Sequence, residues 1–266
     1  MNCHHILTLV FILSTMALGR VTSQAAETAE EAGLRIIREL DRRDSGWVDF
    51  RCEMNMVLRD ASGREHSRTM RSLGREVPGD GDQSLIVFSS PAEVSGTVLL
   101  TYGHKKKRDD QWLFLPAIKR TKRISSGNRS GPFVGSEFAF EDLTGQEIEK
   151  FTHRFLGEGK ANGMACFILE RTPVDRKSGY SKQVSWIDKK EYRWQKTEFY
   201  DRKKSLLKTL TLTEYRKHLG RYWRADRARM LNHQTGKSTD LIAGRWQFKQ
   251  GLSPQQFKPS RLEKVR

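Results

Sequence analysis

Apolar residues are scarce in this 266-residue chain. They make up 36% of it, and the mean hydropathy is −0.67. A chain of this length still buries a sizeable core. So polar a composition points to a thin one, such as a curved antiparallel sheet covered on a single face. Long hydrophobic runs are missing too: residues 6–18 are too few to cross a membrane, and no other window approaches a span. Cysteine is rare, with Cys3, Cys52 and Cys166 the complete set. Catalytic signatures are also lacking. His66, His104, His153, His218 and His233 stand alone without H-E-x-x-H spacing. Ser136 in Gly135-Ser136-Glu137 is not a G-x-S-x-G elbow, and neither a Walker nor a Rossmann glycine pattern occurs. These absences argue against an enzyme and give no reason to expect a cofactor or a metal centre.

Positive charge, in contrast, is plentiful. Lys and Arg number 48 against 32 Asp and Glu, a formal net charge of +16 spread along the whole chain. That balance suits anionic partners such as nucleic acid, an acidic membrane surface or lipid headgroups, and it equally suits a solvated basic surface. The N-terminus narrows the choice. After a short polar start with His4 and His5, the apolar run 6–18 leads to Ser23-Gln24-Ala25, with small residues where a signal peptidase needs them. The pattern predicts a signal peptide over residues 1–25, cleavage before Ala26, one domain over residues 26–266 and a periplasmic location. Cys3 precedes the apolar run and so is no lipidation site. Export removes nucleic acid from the list and leaves peripheral membrane contact open. Cys52 and Cys166 form an even pair in an oxidising compartment, free to bridge or to stay apart.

Periodicity organises the rest. Residues 25–44 read as an amphipathic helix, with Ala32, Ile36, Ile37 and Leu40 on one face. From Trp47 the period changes to two: Val48, Phe50, Cys52, Met54, Met56 and Leu58 share one face of a half-buried strand. A turn at 60–63 and a strand over 66–77 complete a hairpin. Further strands are expected at 83–88, 96–102, 111–116, 120–125, 149–157, 164–171, 181–188, 192–200, 205–215, 221–232 and 238–249. Short helical pieces are expected near 91–94, 137–144 and 254–262. There is no internal repeat and no linker. The reading is a mainly β (α+β) fold, a long antiparallel meander curling into a barrel or half-barrel.

The least generic stretch runs from Gln111 to Leu143. It holds the apolar strand Gln111-Trp112-Leu113-Phe114-Leu115-Pro116, then the basic Lys119-Arg120-Thr121-Lys122-Arg123, then Gly131-Pro132-Phe133-Val134-Gly135-Ser136-Glu137-Phe138-Ala139-Phe140. Large apolar groups, cations and a glycine-rich loop thus fall close together. An amphiphile would find acyl contacts in Trp112, Phe114, Phe133, Phe138 and Phe140. Its anionic headgroup would find Arg120, Lys122 and Arg123. Phe50, Met54 and Met56 are further lining candidates, since methionine adapts to irregular guests. The same aromatics can equally be ordinary core beside a solvated strand face. Glu137, Glu141 and Asp142 can serve acid–base or cation chemistry, or simply support a helix start.

This order of residues resembles the signature of the LolA-like outer-membrane lipoprotein-sorting family. Met54-Asn55-Met56-Val57-Leu58, Ser89-Ser90-Pro91-Ala92-Glu93-Val94, Trp186-Ile187-Asp188-Lys189, Glu198-Phe199-Tyr200-Asp201 and the stretch 257–262 agree with it, so the resemblance spans nearly all of residues 26–266. Two departures stand out: Val134 where methionine is expected and Glu137 where aspartate is. The resemblance implies an incomplete antiparallel β-barrel whose concave apolar face is covered by helices and loops. It also implies an exported carrier of a lipoprotein or lipid amphiphile, with an inner-membrane transporter and an outer-membrane acceptor as partners. A second reading is a non-catalytic docking module whose basic face binds an anionic membrane or a partner protein. The carrier requires an apolar concavity behind residues 112–140; the docking module does not.

Overall fold

The computed structural model describes residues 26–265, and the expected leader lies outside the described residues. The first element is helix α1 (Ala29–Asp44). Thr28 opens it with a capping box: the Glu31 N–H donates to Thr28 Oγ1 at 3.2 Å, and the Thr28 N–H donates to Glu31 Oε2 at 2.8 Å. Two donors that a helix start leaves open are thereby satisfied. Gly46, at φ +98°, lets the chain turn into the sheet.

Every segment with period-two patterning becomes a strand. The first six are β1 (Asp49–Arg59), β2 (Glu65–Arg75), β3 (Gln83–Ser90), β4 (Val98–Tyr102), β5 (Asp110–Leu115) and β6 (Arg120–Arg123). The remaining seven are β7 (Phe151–Ala161), β8 (Met164–Pro173), β9 (Tyr180–Asp188), β10 (Trp194–Asp201), β11 (Leu206–His218), β12 (Tyr222–Asn232) and β13 (Ser238–Phe248). They form one antiparallel sheet in the order β6-β5-β4-β3-β2-β1-β13-β12-β11-β10-β9-β8-β7, which does not close into a barrel. From the β1/β13 seam the chain steps outward to the edge at β6. Residues 124–150 carry it to the opposite edge at β7, and it then steps back to β13.

That crossing segment lies on the inner face and shows that the sheet curls. Phe88 on β3 and Phe199 on β10 stand six strand steps apart, about 29 Å in a flat sheet. Yet both belong to one hydrophobic cluster with Phe133, Phe138 and Phe140 of the crossing segment. Register identifies the other inward residues: Met54 faces Met70, Met70 faces Phe88, Ile86 faces Leu99, and Leu99 faces Leu113. The expected cover is therefore shared between α1, which packs on Leu169 and Ile187 of the same face, and this loop, stiffened by short 3-10 turns at Phe133–Gly135 and Phe140–Leu143. Residues 91–94 form a turn rather than a helix.

The outer face of β3–β5 is covered as well. Leu85, Val87, Val98, Leu100 and Phe114 pack against Leu252, Phe257 and Leu262 from the C-terminal segment. Two 3-10 turns, Pro254–Phe257 and Pro259–Lys264, shape that segment. At the opposite edge, α1 buries Ile36 and Ile37 against Leu169 and Ile187. Gly33 allows the close approach: a Cβ there would come within 3.0 Å of the Arg154 nitrogen and the His153 carbonyl carbon on β7. Cys52 and Cys166 are both buried free thiols, on β1 and β8.

Candidate functional site

The crossing segment is pinned to the inner face by a buried ion pair. Asp142 accepts from Lys208 Nζ on β11 at 2.6 Å, from the Tyr180 hydroxyl on β9 at 2.7 Å and from the Ala139 N–H at 2.7 Å. Both charged side chains are 5% exposed. Burial, and then the carboxylates of Asp142 and Glu141, push the Tyr180 hydroxyl well above its usual range, so it stays a donor. Glu137 adds two ties: its N–H donates to Thr239 Oγ1 at 3.0 Å, and its carboxylate accepts from Asn232 at 2.7 Å. Glu141 accepts from Ser178 Oγ and the Gly179 N–H, at 2.8 and 2.9 Å. Burial raises the Glu141 carboxyl above its ordinary value, and those two donors oppose the shift. The acidic trio thus holds the segment in place.

Held this way, the segment fills one half of the concavity and leaves the other open. Over β1–β5, Met56, Met70 and Phe133 have no exposure, so the concavity expected behind residues 112–140 is packed there, and the open space lies on the far side of Phe138 instead. Over β8–β11 a cavity of about 650 Å³ remains. Its apolar wall comprises Phe138, Tyr180, Trp194, Phe199, Leu210 and Leu212, and Arg171, Gln183 and Thr197 are set among them. The size matches pockets that take small organic ligands, ~300–1,000 Å³.

Cations line the mouth. Lys105, Lys106, Lys107 and Arg108 form the exposed loop between β4 and β5. Acidic residues fix it from below. Asp80 accepts from the His104 ring at 2.6 Å and from the Lys105 N–H at 2.9 Å, and the His104 bond leads in drawing Asp80 down to about 2. Buried Asp109 accepts from the His104 N–H at 2.9 Å and pairs with Lys150. Across the mouth, Arg108 meets Asp175 at 3.0 Å.

The residues singled out in the sequence divide over several places. Phe138 lines the cavity. Phe133, Phe140, Met54 and Met56 belong to or pack against the inner cluster beneath the crossing segment. Trp112 and Phe114 do not face the concavity: Leu113 points inward, and its two neighbours pack under the C-terminal segment on the outer face. Phe50 sits in a separate aromatic group, with its ring centroid 5.3 Å from Trp47 and 5.1 Å from Trp246. Arg120, Lys122 and Arg123 are exposed on edge strand β6, where charge discourages pairing with another sheet. Arg123 pairs with Asp110. The cations of the mouth and the wall residues of β8–β11 were not singled out. One local signal existed: Arg171 is in phase with inward-facing Phe167 and Leu169 on an otherwise apolar strand face.

Comparisons with known proteins agree on the fold. A family model described as "Uncharacterized protein" matches residues 80–264. No curated protein matches the chain. Among solved structures, it is similar to a Vibrio parahaemolyticus domain described as an outer-membrane lipoprotein-sorting protein, at 50% identity and a TM-score of 0.86, covering 88% of this chain and 99% of that one. A DUF1329 family protein from Desulfovibrio piger is 28% identical with a TM-score of 0.83 and the same coverage. A LolA superfamily protein from Nitrosomonas europaea shares the fold at 21% identity, with a TM-score of 0.68 over 85% of this chain and 97% of that one.

Proposed function

Because the chain belongs to a LolA-like family of outer-membrane lipoprotein-sorting proteins, we propose that it is a non-catalytic periplasmic carrier sheltering the acyl part of a lipid or lipoprotein. The observation that carries this reading is the cavity over β8–β11, apolar along its wall and cationic at its mouth. Burying a methylene is worth about 0.8 kcal/mol, so a chain of roughly sixteen carbons costs on the order of 13 kcal/mol to expose. A carrier must keep that surface from water yet still release it. A partly open cavity closed by a pinned loop meets both demands, and the exposed Lys105–Arg108 loop supplies contact with an anionic membrane during loading. An inner-membrane transporter as donor and an outer-membrane acceptor complete the proposed route.

Native mass spectrometry of the protein purified from periplasm, followed by lipid extraction, tests the reading. A stoichiometric bound amphiphile is the expected result. A ligand-free mass, with no uptake from lipid or lipoprotein donor vesicles, overturns it and favours the docking module, for which the same cationic loop suffices.

A further inference from the structure

Arg171 is the group in the cavity that nothing so far explains. It projects from β8 into the wall, is 2% exposed, and has no carboxylate within ion-pair distance among the described residues. Its guanidinium lies 4.0 Å from the Phe151 ring centroid and 4.8 Å from that of Trp194. Its hydrogen bonds go to neutral acceptors: Gln146 Oε1 at 3.0 Å and Gln183 Oε1 at 3.4 Å. Nε, also buried, donates to nothing among the described residues.

A buried charge without a counter-charge is costly, and cation–π contacts offset only part of the penalty. Burial, opposed by no carboxylate, drags Arg171 down to about 9, still protonated at neutral pH. The carboxylates lining the cavity are otherwise engaged: Asp142 with Lys208, Glu141 with Ser178 and Gly179, Asp109 with Lys150, Asp175 with Arg108. Glu149, exposed on the rim, is the remaining acid. A guanidinium presents donors in a fixed fork that matches an oxyanion.

We infer that Arg171 is the headgroup site of the cavity and that the cargo is an amphiphile bearing an oxyanion, carboxylate or phosphate, held with its anionic end inward at β8. This rests on the carrier reading. The tail then runs across the strands over Tyr180, Phe199 and Leu210 toward Phe138. From β8 to β11 is three strand steps, about 14 Å, which takes the greater part of one extended acyl chain.

The test compares three probes of equal chain length: palmitate, 1-palmitoyl-lysophosphatidate and hexadecanol. One buried charge-assisted pair favours the matching anion over the alcohol by about tenfold to a hundredfold. The acid that binds more tightly identifies carboxylate or phosphate as the source. In Arg171→Gln the preference ratio should fall toward one. Equal binding of acids and alcohol by the wild type overturns the headgroup site, as it would if Glu149 swung in as an internal counter-ion. A ratio unchanged in R171Q overturns it too. Binding of none of the three removes the carrier reading itself. If R171Q does not fold, carboxyl-labelled palmitate on the wild-type protein decides by NMR. Its carboxyl should stay ionised well below the pH at which free carboxylates titrate, and titration at or above that ordinary value sinks the assignment.

Discussion

The two arms of the sheet share one alternating pattern and end in opposite states. From β1 to β5 the inner face is packed by Phe133 and its neighbours, and the outer face of β3–β5 by Phe257 and Leu262. From β8 to β11 the inner face borders open space, and inward positions carry Arg171, Gln183 and Thr197 beside the aromatics. One arm is a core and the other keeps a cavity. The difference lies in what the crossing segment brings: Phe133 and Phe140 fill the first arm, while the second receives Phe138 as part of its wall and the polar anchor of Asp142.

Breaking that anchor should have the largest effect. Asp142→Ala leaves Lys208 buried without its partner, a loss of about 3–5 kcal/mol. Chemical denaturation measures it, and a loss below ~1 kcal/mol would mean that the segment is held elsewhere. Phe133→Ala attacks the packed arm instead. It should cost about 3–5 kcal/mol and create a second hollow, so a variant that folds should take up more amphiphile than the wild type. Unchanged uptake would show that the two halves do not communicate.

Filling the cavity should do the reverse. Leu212→Trp adds bulk to open space, so stability should move by less than about 1 kcal/mol while vesicle-to-protein lipid transfer falls several-fold. Lost stability with intact transfer would place the cargo elsewhere. The smallest expected effect concerns the mouth. Asp80 is held near 2 against an ordinary 3.8, so the folded carboxyl binds protons less tightly than the unfolded one. Its contribution is present above the ordinary range and fades as pH falls through about 2. Because Asp80 is 42% exposed, Asp80→Asn should cost only about 1 kcal/mol. It should also speed amide exchange at Lys105–Arg108 without touching β8–β11.

Much of this architecture was legible in the sequence. Alternation is a local property, and every strand announced itself. The helix was equally plain from the apolar face of Ala32, Ile36, Ile37 and Leu40, but the Thr28–Glu31 capping box sets its start at Ala29 rather than at the expected residue 25. What local pattern does not contain is which face is which. In β4 and β5 both faces are apolar, so Trp112 and Phe114 carried no sign that Leu113, between them, points inward. Nor does it contain strand order. With β1 beside β13, residues 124–150 must cross the concavity, and that crossing decides which half fills. Lys105–Arg108 was not singled out, because nothing local distinguishes it from other charge runs; only the sheet places it above a hollow. The acidic trio offered two readings, and only its partners on β9, β11, β12 and β13 distinguish chemistry from anchoring.

The seam between β1 and β13 bears on how the chain acquires its shape. Asp49 accepts hydrogen bonds from the Gln250 and Leu252 N–H groups, partners about 200 residues apart in the chain. Each arm can zip as a series of neighbouring hairpins, but the curl that makes an interior waits for the two ends to meet. Until then the aromatics of the crossing segment have only half a surface to dock on. Contacts so distant in sequence close slowly, so the joining of the two arms is expected to limit folding, and a chain caught before it exposes the apolar faces that the finished sheet buries.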